Sequence, residues 1–336
     1  MSELPLAIGA VDYHTAGEPF RIVSGGLAPL PGRTILEKRR HAMEHLDRVR
    51  QLLIFEPRGH ADMYGCFVTA PEDEGAQLGV VFFHNAGYST ACGHGTIALV
   101  TWALESGVIP MTQGEQTVTV DAPSGRLRCT ARCEGARVRD VRFVNVPSYV
   151  AHEGLEVPTS RGPVRADVSF GGAFYASVDA DPLGLALTGD DLPELIRLGR
   201  EIKAAIEGAY RIEHPVEPEL RDVYGVIFPR TLGEGPELRQ RNVTIFADGE
   251  VDRSPCGSGT SARLALLDRS GRLPRGARLE HEGITGAVFQ GRVVGDGRVA
   301  AYEAVITEVT GSAYLTGYHQ FVLQPDDPLG TGFLLR

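Results

Sequence analysis

A chain of 336 residues, 43% hydrophobic and 23% charged, has the composition of an ordinary globular protein and a length that suits about two domains. Its net charge of −10, with no long block of lysine and arginine, excludes a nucleic-acid backbone as the partner. Met1–Gly9 lacks the basic and then apolar pattern of a secretory leader, and no apolar run is long enough to span a membrane, so a cytoplasmic location is expected, with the five cysteines reduced.

Leu6–Val11 alternates as a strand and runs into a polar turn over Asp12–Pro19, after which Arg21-Ile22-Val23 resumes the strand. Thr34–Leu53 carries Leu36, Met43, Leu46, Val49 and Leu53 at helical spacing, which predicts one amphipathic helix. His41 and His45 stand on it at i, i+4. They read as a solvated face and not a metal site, because no His-Glu-x-x-His core lies between them. A loop over Glu56–Gly65 feeds the strand Cys66–Thr69, and Gly79–Phe83 is a second strand.

Cys92-Gly93-His94-Gly95-Thr96 then opens an apolar run that stops at Gly107. This predicts a turn of glycines, a helix over 94–106 and a left-handed glycine beyond its end. Strands near 116–121, 126–133 and 138–146 follow in hairpin fashion. Cys129 and Cys133 share one face of the middle strand and read as packed thiols, since no second ligand pair lies downstream.

The chain restarts after Pro147 and Pro158 with a strand at Val164–Ser169, and Gly171-Gly172 then permits close backbone approach. Asp191–Tyr210 is an amphipathic helix, and Val223–Phe228 and Asn242–Ala247 are strands. Cys256-Gly257-Ser258-Gly259-Thr260 repeats the earlier phrase, and its apolar run stops at Gly271, at the spacing that separates Cys92 from Gly107. Strand and turn patterns continue to Gln324. Each half thus runs strands, one thiol-headed helix, then strands, which is an α+β duplication and not a β-α-β alternation.

A helix N-terminus lowers a thiol pKa and leaves backbone N–H groups free to bind a carboxylate. Two such turns facing each other across the cleft between the halves would hold a small carboxylate substrate with one thiol on each face of its carbon α. One thiolate would take the α-proton and the opposite thiol would return a proton to the other face, with fixed N–H donors stabilising the enediolate-like state.

Four stretches carry a family resemblance: Asp12-x-His14-Thr15-x-Gly17-Glu18-Pro19-x-Arg21, Cys92–Thr96, Gly171-Gly172-x-Phe174-Tyr175-Ala176 and Asp252-Arg253-Ser254-Pro255-Cys256-Gly257-Ser258-Gly259. In this order they resemble the signatures of the proline racemase family, which includes proline racemases, hydroxyproline 2-epimerases and trans-3-hydroxy-L-proline dehydratases. The resemblance implies two similar diaminopimelate-epimerase-like halves, each a mostly antiparallel sheet around a central helix, with the active site in the cleft between them. Residues 1–156 with a C-terminal tail of about 322–336 would form the half carrying Cys92, and 157–321 the half carrying Cys256. No cofactor, no metal and a homodimer are implied. Cys92 and Cys256 would be the acid/base thiols. Gly93, His94, Gly257 and Ser258 would surround the carboxylate, Asp252 would receive the ring ammonium, and His14 is either site wall or structural.

The reaction is signalled both ways. Phe55-Glu56-Pro57-Arg58-Gly59-His60-x-Asp62-Met63-Tyr64-Gly65 and Asp326-Asp327-Pro328-Leu329, along with Gly172-Ala173-Phe174-Tyr175-Ala176, are most similar to the dehydratase branch. That branch typically has threonine at the second catalytic position, where this chain has Cys256. Two thiols are what inversion requires, so racemisation or epimerisation of proline or a hydroxyproline is expected, with dehydration of trans-3-hydroxy-L-proline as the alternative. A thiol–disulfide redox protein would need a resolving cysteine, and neither Cys92 nor Cys256 has a Cys-x-x-Cys partner.

Overall fold

The computed structural model describes residues 7–233 and 237–335. The first half contains β1 (Ala7–Thr15), β2 (Glu18–Gly25), α1 (Ile35–His45), α2 (Asp47–Ile54), β3 (Tyr64–Thr69), β4 (Leu78–His84), β5 (Gly87–Tyr88), α3 (Gly93–Glu105), β6 (Gly114–Ala122), β7 (Gly125–Glu134) and β8 (Arg137–Val144). There follow β9 (Ser148–Val157), β10 (Val164–Phe170), β11 (Phe174–Ser177), α4 (Leu192–Ala209), β12 (Val223–Gly233), β13 (Glu237–Phe246), β14 (Glu250–Asp252), α5 (Gly257–Arg269), β15 (Arg278–Glu282), β16 (Val288–Val299), β17 (Tyr302–Gly311) and β18 (Ala313–Val322). Leu6, the first residue of the expected opening strand, lies outside the described residues.

The chain divides into two compact units, one holding the described residues up to Val141 together with those from Ser312 onward, the other Arg142–Gly311. These bounds correct the expected division at 156 and 321. The strand β9, hidden in sequence between two prolines, pairs antiparallel with β10 and β17 and so belongs to the second unit. The strand β18 pairs with β1 from Ala7↔Val322 to Thr15↔Ala313, which returns the whole strand to the first.

The duplication is visible in the pairing. In the first unit an antiparallel hairpin β1–β2 is followed by a helical crossover to β3, parallel to β2, then by antiparallel β4. Short β5, the helix α3, β6 parallel to β4 and antiparallel β7 complete it. The second unit repeats this with the hairpin β10–β11, a crossover through α4 to parallel β12, antiparallel β13, short β14, the helix α5, β15 parallel to β13 and antiparallel β16. Antiparallel pairs predominate, and the crossovers add two parallel pairings to each unit among the described residues, so the sheets are mixed.

The central helices carry no amphipathic face because they have no wet side. Every residue of α3 from Gly93 to Leu104 is buried, and α3 packs against β1, β2, β3, β7 and β18. In α5, Gly257 to Leu267 are buried against β9, β10, β11, β16 and β17. Each ends on a serine, Ser106 or Ser270, followed by a left-handed glycine, Gly107 at φ 77° or Gly271 at φ 69°. The single helix expected over 34–53 is instead two. Leu46 leaves the helical region at φ −116°, ψ 9°, closing α1 and starting α2 at a new angle, and α2 then buries Val49, Leu52, Leu53 and Ile54 in the first unit's core with Phe67, Val81 and Phe83.

Candidate active site

Cys92 is the N-cap of α3, with extended backbone at φ −154°, ψ 100°. Its Sγ accepts from the Gly95 N–H at 3.3 Å, and its carbonyl accepts from the Thr96 N–H at 3.0 Å and the Thr96 hydroxyl at 2.8 Å. The glycines of the phrase therefore lie inside the first helical turn and not in a turn before it. Gly95 is required there by close approach, since a Cβ would stand 2.7 Å from Cys92 Sγ and nearer still to the Phe20 ring. The first N–H groups of α3, on Gly93 and His94, have no partner within a helix and form the positive end of its dipole.

The His94 ring lies 3.5 Å from Cys92 Sγ through Nε2 and is boxed edge-on by Phe20 and Tyr64, at centroid distances of 5.7 and 5.0 Å. Burial pushes its pKa down to about 3, so it is a neutral imidazole beside the sulfur. Its carbonyl is held by the Thr15 hydroxyl at 3.0 Å. Position 94 was expected to contribute a backbone N–H, and the ring contact to the thiol is an addition that only packing reveals.

In the second unit Cys256 heads α5 with a different backbone, φ 63° and ψ 100°. Its carbonyl accepts from the Thr260 N–H at 2.7 Å and the Thr260 hydroxyl at 2.8 Å, and its own N–H donates to Ser254 Oγ at 3.1 Å. The Ser254 hydroxyl donates to Asp252 Oδ1 at 2.7 Å, as the Ser254 N–H does at 2.8 Å. The Cys256 thiol faces the Tyr175 hydroxyl at 3.6 Å, and that hydroxyl bonds Ser258 Oγ at 2.7 Å. Gly171 lies against the same turn, where a Cβ would meet the Ala262 nitrogen at 2.6 Å.

Electrostatics at this thiol run against the expectation that a helix N-terminus depresses its pKa. Cys256 is only 5% exposed, and burial, then the Asp252 carboxylate, push its pKa well above the usual thiol range. Burial likewise raises Asp252, partly offset by the bonds from Ser254. The desolvation of a nearly enclosed sulfur and an adjacent carboxylate outweigh about half a charge of helix dipole.

Tyr175 and Ser254 were not singled out from sequence as site residues, although both stand inside quoted motifs. Other motif residues prove structural. Arg21 forks onto Asp12 at 2.7 and 2.9 Å, donates to the carbonyls of Arg58 at 2.8 Å and of Leu53, and stacks on Phe321. His14 accepts the Gly17 N–H at 3.2 Å within its own turn and stacks on Tyr314. Arg58 reaches the carbonyls of Val322 and Gly330 at 3.0 Å and Asp327 at 3.5 Å. Among the described residues no group of three or more His, Cys, Asp and Glu could hold a metal. The His41 and His45 rings lie 4.5 Å apart with no third ligand among the described residues, and the five cysteines are buried and not joined in disulfides.

An α+β fold built twice, each copy carrying a cysteine at the start of its buried helix, places the chain among racemase and epimerase folds. The chain belongs to the proline racemase family, whose model, described as "Proline racemase", matches residues 10–334. It is 46% identical over 325 residues to a trans-3-hydroxy-L-proline dehydratase of Bacillus thuringiensis subsp. konkukian, covering 97% of each chain. It is also 46% identical over 331 residues to a 3-hydroxyproline 2-epimerase of Burkholderia multivorans, covering 98% of each. A solved hydroxyproline epimerase from Agrobacterium vitis, with bound trans-4-OH-L-proline, superposes with a TM-score of 0.91 at 31% identity, covering 98% of this chain and 96% of that one. The protein is thus an enzyme of amino-acid isomerisation or the related elimination. No helix among the described residues is long and apolar enough to cross a membrane.

Proposed function

We propose that the protein is a 3-hydroxyproline 2-epimerase, inverting carbon α with Cys92 and Cys256 as its two acid/base groups. The observation that carries this reading is the cysteine at position 256, heading α5 as Cys92 heads α3. A hydroxyl there would be too weak an acid or base to reprotonate carbon α quickly, whereas a thiol can do so. The two relatives named for 3-hydroxyproline favour that substrate over proline and 4-hydroxyproline.

In one direction Cys92, contacted by a helix N–H and a neutral imidazole, takes the α-proton as thiolate. Cys256, held protonated by burial and Asp252, donates its proton to the opposite face. The electron pair left by the C–H bond moves into the carboxylate, which the N–H groups of Gly93, His94, Gly257 and Ser258 stabilise. Asp252 receives the ring ammonium. Pairing with that cation cancels the carboxylate's repulsion of Cys256, which eases ionisation of Cys256 for the reverse direction.

NMR in D2O with trans-3-hydroxy-L-proline, trans-4-hydroxy-L-proline and L-proline tests this. Conversion of the first to its carbon-α epimer, with deuterium incorporated, is expected. Release of a pyrroline-2-carboxylate precursor without inversion would instead establish the dehydratase reading, which the relative named for that reaction keeps as the alternative. Cys256→Ser is expected to abolish inversion. The homodimer that the resemblance implies predicts a solution mass of twice the 36.2 kDa chain by light scattering.

A further inference from the structure

The two thiol-bearing residues differ in backbone conformation. Cys92 is extended, whereas Cys256 sits at φ 63°, a left-handed region that residues with a side chain adopt only under constraint, at a cost of roughly 1–3 kcal/mol. The direction of the Cys256 Cα–Cβ bond, from which Sγ hangs, follows from that backbone, so whatever enforces it helps aim the thiol. Three residues grip the peptide units on either side. Ser254 Oγ accepts the Cys256 N–H, Asn242 Nδ2 donates to the Pro255 carbonyl at 3.1 Å, and Thr260 donates to the Cys256 carbonyl from both its N–H and its hydroxyl.

The Thr260 hydroxyl has a second partner that the matching threonine of the first unit lacks. His281, on β15 and 0% exposed, places Nδ1 2.8 Å from Thr260 Oγ1. Thr96 makes the same pair of bonds to the Cys92 carbonyl, but no imidazole bonds its hydroxyl. A carbonyl oxygen only accepts, so when Thr260 gives its proton to the Cys256 carbonyl, Nδ1 must be the donor to Oγ1. Burial, with the Arg263 charge adding to it, holds His281 neutral, so its single N–H is committed to this bond and the buried Nε2 has no hydrogen-bond partner among the described residues. The methyl of Thr260 is fixed as well, since Gly291 leaves room for it where a Cβ would stand 2.9 Å from Thr260 Cγ2. The result is a directed chain, His281 Nδ1–H to Thr260 O–H to Cys256 C=O, in which each bond polarises the next.

We propose that His281 is a positioning residue for Cys256: through Thr260 it locks the left-handed backbone of Cys256 and so aims that thiol at carbon α. The inference rests on the reading of Cys256 as an acid/base thiol. It predicts a one-sided defect. The face of the substrate served by Cys256 depends on His281, and the face served by Cys92 does not.

The test follows α-proton exchange in D2O by NMR, starting separately from trans-3-hydroxy-L-proline and from its carbon-α epimer. Cys256→Ser identifies the epimer whose proton Cys256 removes, because exchange from that epimer alone should collapse. His281→Leu should slow exchange from the same epimer about tenfold or more, the scale of a slightly misplaced reacting group. Exchange from the other epimer should stay within about twofold of the parent enzyme. Thr260→Val, which removes one hydroxyl at nearly constant volume, should give the same asymmetry and carries the test if His281→Leu does not fold. His281→Asn, which restores a donor near the place of Nδ1, and Thr260→Ser should recover most of the lost exchange. If Cys256→Ser leaves both epimers exchanging, the two-thiol reading fails. If Cys256→Ser is one-sided but His281→Leu and Thr260→Val slow both epimers equally, or neither, the positioning role fails while the two-thiol reading stands.

Discussion

Burial, and then the Asp252 carboxylate, make the Cys256 thiol a weak acid, so the thiol should respond to removal of Asp252. Asp252→Asn is expected to lower the Cys256 pKa, because it deletes the carboxylate that raises it. Iodoacetamide labelling of Cys256 should then set in at lower pH than in the parent enzyme. The same variant should raise KM about 10-fold or more if, as proposed, Asp252 makes a charge-assisted bond to the ring ammonium. Two of the buried imidazoles predict a pH effect of their own. His94 and His281 fall from the ordinary 6.5 to about 3 in the fold, so the unfolded chain binds protons there that the folded chain does not. Their stabilisation is complete above pH 6.5 and is lost as pH falls toward 3. The urea midpoint at pH 5 should lie below that at pH 7, and His281→Leu should flatten the dependence by about 1.4 kcal/mol per pH unit.

Among the elements, α3 and α5 show how one short phrase does two jobs. The glycine immediately before the threonine lets a neighbouring side chain close over the thiol, Phe20 on Gly95 and Ile227 near Gly259. The glycine past the helix end supplies a left-handed stop with open space around it, as at Gly107. Alanine at these two kinds of position should therefore behave differently. Gly95→Ala drives a Cβ into Phe20 and Cys92 Sγ and is expected to abolish turnover. Gly107→Ala should cost about 1–2 kcal/mol in stability, read by denaturant melts, with activity unchanged. The helix pair α1 and α2 marks the limit of pattern reading at this scale. Leu36, Met43, Leu46, Val49 and Leu53 keep helical spacing on either side of the break, and nothing in that spacing signals that Leu46 leaves the helical region to swing α2 onto the core.

Across the whole chain, the C-terminal segment returns to the first unit, and this recasts the dehydratase-like flanking motifs. Arg58 of the first motif bonds the Val322 and Gly330 carbonyls and Asp327 of the second, and Glu56 pairs with Phe333 backbone to backbone. The two motifs are thus partners in one packing arrangement, and they report how the tail docks. Tyr64 of the first motif lies instead beside the His94 ring of the candidate site. Arg58→Ala is accordingly expected to destabilise the protein by about 1–3 kcal/mol, through carbonyls left without donors. The ratio of inversion to elimination should not move, and a changed product ratio by NMR would overturn this assignment.

The sequence by itself determined the duplicated α+β plan, the two buried helices, the left-handed stops at Gly107 and Gly271 and the placement of Cys92 and Cys256 at helix starts. All of these follow from local periodicity, spacing and glycine chemistry, which a linear pattern records. Tertiary structure decided the rest. The bounds of the units depend on which strands β9 and β18 pair with, a long-range choice that prolines at 147 and 158 disguised. The His94 ring beside Cys92 and the Ser254–Asp252 contact are local in sequence but depend on where the folded side chains point, whereas the Tyr175–Ser258 contact and the His281–Thr260 chain join residues from separate strands and helices. The charge state of Cys256 was set the same way. A helix N-terminus is legible in sequence, but the depth of burial and the neighbouring carboxylate that override it exist only once the chain has folded.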